Sequence, residues 1–286
     1  TNSKNIVIRY TTTSKNYGMP HMPSTGVSGL DLYATDSKGE QLWLAARYTI
    51  GDQSTFNYHG ITYREGEDGY SYRLFLPPYN GIEKLEIGVD EGAEFSFIEP
   101  RKELPIVAYG TSITQGACAS RPGMIWTSIV SREMNMPLYN LGFSGNGVLE
   151  DALIDLVSDI PAAVYIIDCM PNLQHVEQDL LVDSIVKQVV RLRTLRPETP
   201  ILLTDHLGYP HSLTMDYYAQ RERNAVESQR IAYERLVEMG VTDIYHLDYD
   251  TIGLPLDATV EAIHPTDWGM RVYGDAYVEI LTRILE

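Results

Sequence analysis

The chain has 286 residues, with 39 acidic against 22 basic side chains and a formal charge of −17. That balance works against nucleic acid, which is held largely by Lys and Arg on phosphates, and against anionic membrane surfaces. A hydrophobic share of 44% beside 21% charged residues is that of a globular protein with room for one large or two ordinary domains, and no apolar run approaches the roughly 20 residues of a membrane-crossing helix.

Twenty tyrosines stand against five phenylalanines. Tyrosine joins a flat apolar face to a hydrogen-bonding end, which suits sugar rings, although core and surface packing accounts for most tyrosines. The chain starts at Thr1 with neither methionine nor an apolar leader. It therefore reads as a processed product whose lost N-terminus carried an export signal, with a periplasmic or secreted location expected.

Residues 1 to about 100 read as β structure. Short apolar or alternating runs occur at Leu42–Leu44, Arg47–Ile50, Tyr72–Leu76, Leu85–Val89 and Glu94–Ile98. Turn signals separate them, among them Gly51-Asp52, Glu67-Asp68-Gly69 and Pro77-Pro78-Tyr79-Asn80-Gly81. Strands at this spacing without helices predict a β-sandwich of jelly-roll type over residues 1–103, with Pro100 to Pro105 as linker.

From residue 104 the period changes. Strand-like runs at Ile106–Tyr109, Leu138–Leu141, Val164–Asp168, Ile201–Thr204 and Ile244–Leu247 alternate with helical patterns near 123–135, 149–159, 177–195, 217–239 and 270–285. In the third helix Leu181, Ile185, Val189 and Leu192 fall on one face. Repeated βα units of this kind predict a three-layer α/β/α sandwich around a parallel sheet over 104–286.

In such sheets ligands bind at the carboxyl ends of the strands, so the polar residues just beyond those ends are the candidates. After the first strand, Gly110-Thr111-Ser112 delivers a serine near a helix start; a Ser/Thr-rich turn has the same composition. After the second, Asn140-Leu141-Gly142-Phe143-Ser144-Gly145-Asn146-Gly147 lets backbone approach a ligand closely. After the third, Asp168-Cys169-Met170-Pro171-Asn172 places an amide beyond a strand end. After the fifth, Glu261 precedes His264 by three residues, near enough in one loop turn to orient an imidazole. Cys118 and Cys169 fall beside these same loops, and both a disulfide and two free buried thiols fit their positions.

Gly110-Thr111-Ser112-Ile113-Thr114-Gln115-Gly116, then Gly145, Asn172 and His264-Pro265, resemble the four blocks of the GDSL or SGNH hydrolases. The resemblance covers about residues 104 to 286 and implies an α/β/α serine esterase. In it Ser112 is nucleophile, His264 is base, and the Ser112 and Gly145 N–H groups with the Asn172 amide form the oxyanion hole. Gly26-Val27-Ser28-Gly29-Leu30-Asp31-Leu32-Tyr33 looks like the β domain that precedes the catalytic domain in a bacterial subgroup linked to carbohydrate deacetylation. Two positions depart from the family pattern: Thr111 and Glu261 each stand where Asp is usual. Glutamate is one methylene longer, so either Glu261 or a backbone carbonyl orients His264. The Gly-x-Ser-x-Gly elbow of the ordinary α/β-hydrolases is absent.

These expectations define a short-acyl, chiefly acetyl, carbohydrate esterase working through an acyl-enzyme. Arg121 is the candidate sugar-binding residue, against the alternative of a surface or helix-end arginine. No metal or other cofactor is expected, since no His-Glu-x-x-His or paired Cys-x-x-Cys spacing occurs. The expected partner is an acetylated glycan or other small ester, with no nucleic acid and no membrane insertion. The rival functions are a lipid or thioester acylhydrolase and a non-catalytic glycan-binding protein on the same scaffold.

Overall fold

The computed structural model describes residues 1–286 and divides into two compact units. The first comprises Thr1–Arg101 with Ala119–Met124, and the second Lys102–Cys118 with Ile125–Glu286. The second stretch thus leaves its own unit for six residues, an excursion that a single boundary near residue 103 does not describe.

The first unit contains β1 (Asn5–Thr12), α1 (Ser24–Val27), β2 (Asp31–Thr35), β3 (Gln41–Leu44), β4 (Arg47–Thr49), β5 (Ser54–His59), β6 (Ser71–Phe75) and β7 (Ile82–Val89). The strands form two antiparallel sheets, ordered β4-β5-β1-β7 and β3-β2-β6. Alternation along β1 turns Ile6, Ile8 and Tyr10 inward, where they pack with Phe56 and Tyr58 of β5 and with Leu30 and Leu32 at the start of the other sheet. Both faces of the sandwich therefore close on one core. The expected strand at Glu94–Ile98 does not form. The Glu94 N–H donates to the Asn2 side chain rather than to a ladder, and Phe97 and Ile98 are 81% and 70% exposed. Its apolar residues had no neighbouring strand to pair with, and a strand needs a partner for its backbone groups. Conversely β1, β2 and β5 are additional to the expected strands.

The second unit contains β8 (Ile106–Gly110), α2 (Ser112–Gln115), α3 (Trp126–Glu133), β9 (Leu138–Gly142), α4 (Asp151–Ser158), β10 (Val164–Asp168), α5 (Met170–Leu173), α6 (Gln178–Leu195), β11 (Ile201–Thr204), α7 (Asp216–Glu238), β12 (Ile244–Leu247), α8 (Tyr249–Ile252) and α9 (Asp267–Leu285). Its sheet is entirely parallel in the order β12-β11-β10-β8-β9. Val107 and Tyr109 of β8, Tyr165 and Ile167 of β10 and Ile201 and Leu203 of β11 share one core cluster with residues of α4, α6 and α7. On the other face α3 packs with α9, where the Trp126 ring stacks on Tyr277 at 4.0 Å. Each fully buried aliphatic side chain here is worth about 1.5–3 kcal/mol, which explains why these strands read as unbroken apolar runs. The chain turns back after β9 to place β10 on the opposite flank of β8. This reversal makes the carboxyl ends of β8 and β10 the crevice where an open α/β sheet binds its ligand. No helix is long and apolar enough to cross a membrane.

Candidate active site

The sheet register assembles the site. Gly110 at the end of β8 lies opposite Gly142 of β9 on one side and Asp168 of β10 on the other. The three loops leaving these positions carry Ser112, Gly145 and Asn172. Glycine is required at two of the strand ends by contact. A Cβ on Gly110 would stand 2.1 Å from Thr114 Oγ1, and one on Gly142 would stand 2.1 Å from the Gln115 nitrogen.

Ser112 opens the single-turn helix α2. Thr111 caps this helix, its hydroxyl accepting the Ile113 N–H at 3.3 Å. Threonine and aspartate are both effective N-caps, so Thr111 performs here a local structural task that Asp would also perform. The other end of α2 is held from β10: Thr114 Oγ1 donates to Asp168 Oδ2 at 2.7 Å, while Tyr273 of α9 donates to Oδ1 at 2.9 Å. Asp168 is completely buried, and desolvation pushes its carboxyl up to about 7 against the two hydroxyl bonds. Sequence reasoning missed this anchor, although a carboxylate ending an otherwise apolar strand is its signal.

His264 reaches Ser112 from the loop before α9, with Nε2 2.8 Å from Ser112 Oγ. Glu261 Oε1 lies 2.6 Å from His264 Nδ1 and also accepts the His264 N–H at 2.9 Å. A carboxylate at Nδ1 places the ring proton there and turns the Nε2 lone pair to the serine. The longer glutamate reaches the ring from a tight loop in which Ala262 has φ +66°, a conformation that costs a non-glycine residue about 1 kcal/mol or more. Surrounding bonds hold it: Val260 N–H to His264 O at 2.9 Å, Cys118 N–H to Pro265 O at 3.2 Å, and the Thr266 hydroxyl capping α9. The second Glu261 oxygen takes the Cys118 thiol at 3.7 Å. Burial pushes that thiol up to about 12, so it stays protonated and donates. Both cysteines are free and buried.

Two donors in the loops after β9 and β10 have no acceptor within the chain. In the loop after β9, Ser144 N–H donates to Gln115 Oε1 and the Asn146 and Gly147 N–H groups to Phe143 O, leaving the Gly145 N–H without a bond. Gly145 itself has φ +73°, which glycine adopts freely. The Asn172 amide nitrogen, carried by α5, is buried and likewise unbonded. An unsatisfied buried donor costs about 1–3 kcal/mol, so the Asn172 amide marks a place for an acceptor, whereas Gly145 is exposed and its N–H is open to water.

Arg121 belongs to the Ala119–Met124 stretch of the first unit. Its Nη1 is 2.9 Å from both Asp31 Oδ2 and the Tyr33 hydroxyl, and its guanidinium lies over the Trp43 ring at 4.2 Å. Asp31 also accepts the Gly123 N–H at 2.6 Å and the Trp43 indole N–H at 2.9 Å. The Leu30-Asp31-Leu32-Tyr33 stretch thus holds residues 119–124 through one carboxylate that takes two donors from them, Arg121 and Gly123, and a third from Trp43 of β3.

Comparison with known proteins places both parts of the chain. The family model of GDSL-like lipases and acylhydrolases matches residues 103–282, and a model of the N-terminus of SGNH-hydrolase-type esterases matches residues 1–95. A protein described as a GDSL-like lipase from Bacteroides ovatus is similar at 29% identity and TM-score 0.87, over 99% of this chain and 82% of that one. The salicylyl-acyltransferase SsfX3 from a tetracycline biosynthetic pathway shares the fold at 18% identity and TM-score 0.69, over 99% and 80% of the two chains. So does a family two carbohydrate esterase from Clostridium thermocellum, solved with cellohexaose, at 12% identity and TM-score 0.63 over 99% and 90%. Among curated proteins none matches this sequence.

Proposed function

The chain belongs to the GDSL-like lipase/acylhydrolase family, and from that membership we propose that it is a serine esterase removing short acyl groups, chiefly acetyl, from a carbohydrate. The observation that carries this reading is the unbroken line from Ser112 Oγ through the His264 ring to Glu261, at 2.8 and 2.6 Å.

His264 Nε2 takes the Ser112 proton as Oγ attacks the ester carbonyl carbon. The carbonyl oxygen becomes an oxyanion that accepts from the Gly145 N–H, the Asn172 amide and the Ser112 N–H. Nε2–H then protonates the departing alkoxide, leaving an acyl group on Ser112. Water repeats the sequence, giving its proton to Nε2 and its oxygen to the acyl carbon, and the acid leaves with Ser112 restored. Glu261 stabilises the imidazolium formed at each step and keeps the proton on Nδ1, and the Cys118 thiol holds the second Glu261 oxygen.

The sugar as alcohol is supported by the kinship in fold with the cellohexaose-bound esterase, by the tyrosine content, and by a net charge of −17, which disfavours anionic substrates. The test is a chain-length series of p-nitrophenyl esters together with acetate release from acetylated polysaccharides. Activity falls steeply from acetyl to octanoyl, each added methylene being rejected once the pocket is full. A preference for octanoyl with no acetate released from any glycan assigns the enzyme to lipid esters instead.

Asn172→Ala lowers kcat on p-nitrophenyl acetate by about 10² to 10³-fold with little change in KM, because its amide is needed chiefly for charge that develops in the transition state. Steady-state kinetics checks this. A raised KM at unchanged kcat would give the amide a ground-state binding role.

A further inference from the structure

The first unit contains a cavity of about 380 Å³, lined from β2, β3, β5 and the turn that follows β5. Small-molecule sites usually measure about 300–1,000 Å³. Its mouth lies at the surface, since Trp43, His59, Thr62 and Arg64 in its lining are all exposed. The reaction above uses none of these residues. One wall is the stretch from His59 to Arg64, which is tied down along its length. The Gly60 N–H donates to Asn5 Oδ1 at 3.2 Å, the Ile61 N–H to Lys4 O at 2.8 Å and the Arg64 N–H to the Tyr70 hydroxyl at 2.8 Å. The cavity is therefore formed before anything enters it.

The inner end of the cavity is made by Tyr58 and Tyr70, which are 2% and 6% exposed. Tyr70 is engaged by Arg64. The Tyr58 hydroxyl makes no hydrogen bond within the chain, and burial, with the charge of Asp31 adding to it, holds the phenol protonated. A buried donor of this kind calls for an acceptor from outside. At the mouth, His59 Nδ1 lies 3.2 Å from Asn5 Oδ1, and the Asn5 amide is oriented by its Nδ2 bonds to Asp90 at 2.9 and 3.2 Å. The His59 proton therefore sits on Nδ1, which leaves Nε2 as an acceptor. The one cation of the lining, Arg64, is already held by Asp36 Oδ2 at 3.0 Å and Glu40 Oε1 at 3.1 Å. Trp43 supplies a flat face: the Arg121 guanidinium covers one side of its ring at 4.2 Å, yet the residue is still 50% exposed, which leaves the other side open.

We propose that this cavity is a carbohydrate site of the first unit's own, and that it takes one neutral sugar residue of an oligosaccharide. It does not depend on the acyl chemistry of Ser112. The open Trp43 face suits the C–H face of a pyranose. The Tyr58 hydroxyl donates to a sugar oxygen, while His59 Nε2 and the Thr62 hydroxyl meet sugar hydroxyls. A pyranose carries donors and acceptors around its edge together with an apolar face, whereas an acyl chain would leave Tyr58 and His59 without partners. A charged sugar is disfavoured, because its carboxylate would find Arg64 already neutralised by two acids.

The test measures binding by titration calorimetry for the full chain and its Tyr58→Phe and Thr62→Val variants. The probes are unacetylated xylohexaose, mannohexaose and cellohexaose, with polygalacturonate as the anionic control. Both substitutions keep the shape of the side chain and remove a hydroxyl. The unmodified chain is expected to bind at least one neutral probe, each variant to raise its Kd by about 3- to 10-fold, and p-nitrophenyl acetate turnover to stay unchanged. The urea midpoint of Tyr58→Phe stays level or rises, because the hydroxyl has no partner in the chain to lose. Variants that bind as tightly as the unmodified chain overturn the site, since a sugar held at the ester-cleaving residues is indifferent to both. A midpoint that falls in Tyr58→Phe gives the hydroxyl a structural use and also overturns it. Binding of polygalacturonate alone, or of no probe, overturns the neutral-sugar site and leaves the esterase reading standing wherever ester turnover persists. Sugar binding without any ester turnover by the unmodified chain counts against the esterase reading and not against this site.

Discussion

Replacing either Ser112 or His264 by alanine lowers turnover by about 10⁴ to 10⁶-fold, and replacing both costs little more, because neither side chain has a catalytic use without the other. The geometry gives the reason. Ser112 Oγ is a weak nucleophile until its proton has somewhere to go, and the nearest base is His264 Nε2 at 2.8 Å. An alanine at 264 leaves an unactivated hydroxyl, and an alanine at 112 leaves a base with no nucleophile to serve. The doubly substituted chain still retains the Gly145 and Asn172 donors and stays above the uncatalysed rate by the contribution of an oxyanion hole alone, about 10³ to 10⁴-fold. Single and double variants measured on p-nitrophenyl acetate decide the matter. Losses that add on a logarithmic scale would mean that the two residues work independently and that the proposed mechanism is wrong.

The largest effect on stability falls at Asp31, in the first unit. Asp31→Ala destabilises that unit by about 3–5 kcal/mol, the cost of breaking a buried ion pair from one side. It leaves the Arg121 guanidinium, the Gly123 N–H and the Trp43 indole N–H all without their acceptor. The Asp31 side chain is 4% exposed and that of Arg121 22%, so water can reach the arginine only in part, and the effect belongs at the lower end of that range. The urea midpoint followed by tryptophan fluorescence should fall by about 1–3 M, given a typical slope of about 1–3 kcal/mol per molar. Asp31→Asn keeps an acceptor oxygen while losing the charge and should shift the midpoint about half as far. An Asp31→Ala chain that unfolds with the unmodified one would remove the carboxylate as the organiser of the Ala119–Met124 excursion.

Much of the second unit was legible before any coordinates. Buried parallel strands are short apolar runs between Gly and Pro, and all five such runs lie within a residue of β8 to β12. The stripe Leu181, Ile185, Val189 and Leu192 is the buried face of α6. Both signals are local, because they depend only on which side chains must avoid water at a given backbone period. Glu261 and His264 were legible as a pair for the same reason: only two residues of one loop separate them.

The first unit was less legible. Its two sheets are held by pairings between distant strands, and the apolar run at Glu94–Ile98 resembles a strand in composition while lacking a neighbour to pair with. Nor could local pattern announce that residues 119–124 join that unit, since the tie is the Asp31 carboxylate some 90 positions earlier.

What the sequence alone determined is the set of elements and the residue types at their ends. Only the tertiary structure decided that Ser112 and His264, 152 positions apart, stand at hydrogen-bond distance. It alone left the Gly145 and Asn172 donors unbonded. The physical reason is that a hydrogen bond is a statement about two groups and the space around them. Strand order and register set which loop ends become neighbours, and burial then decides which polar atoms are deprived of water, neither of which is written in the period of any one segment.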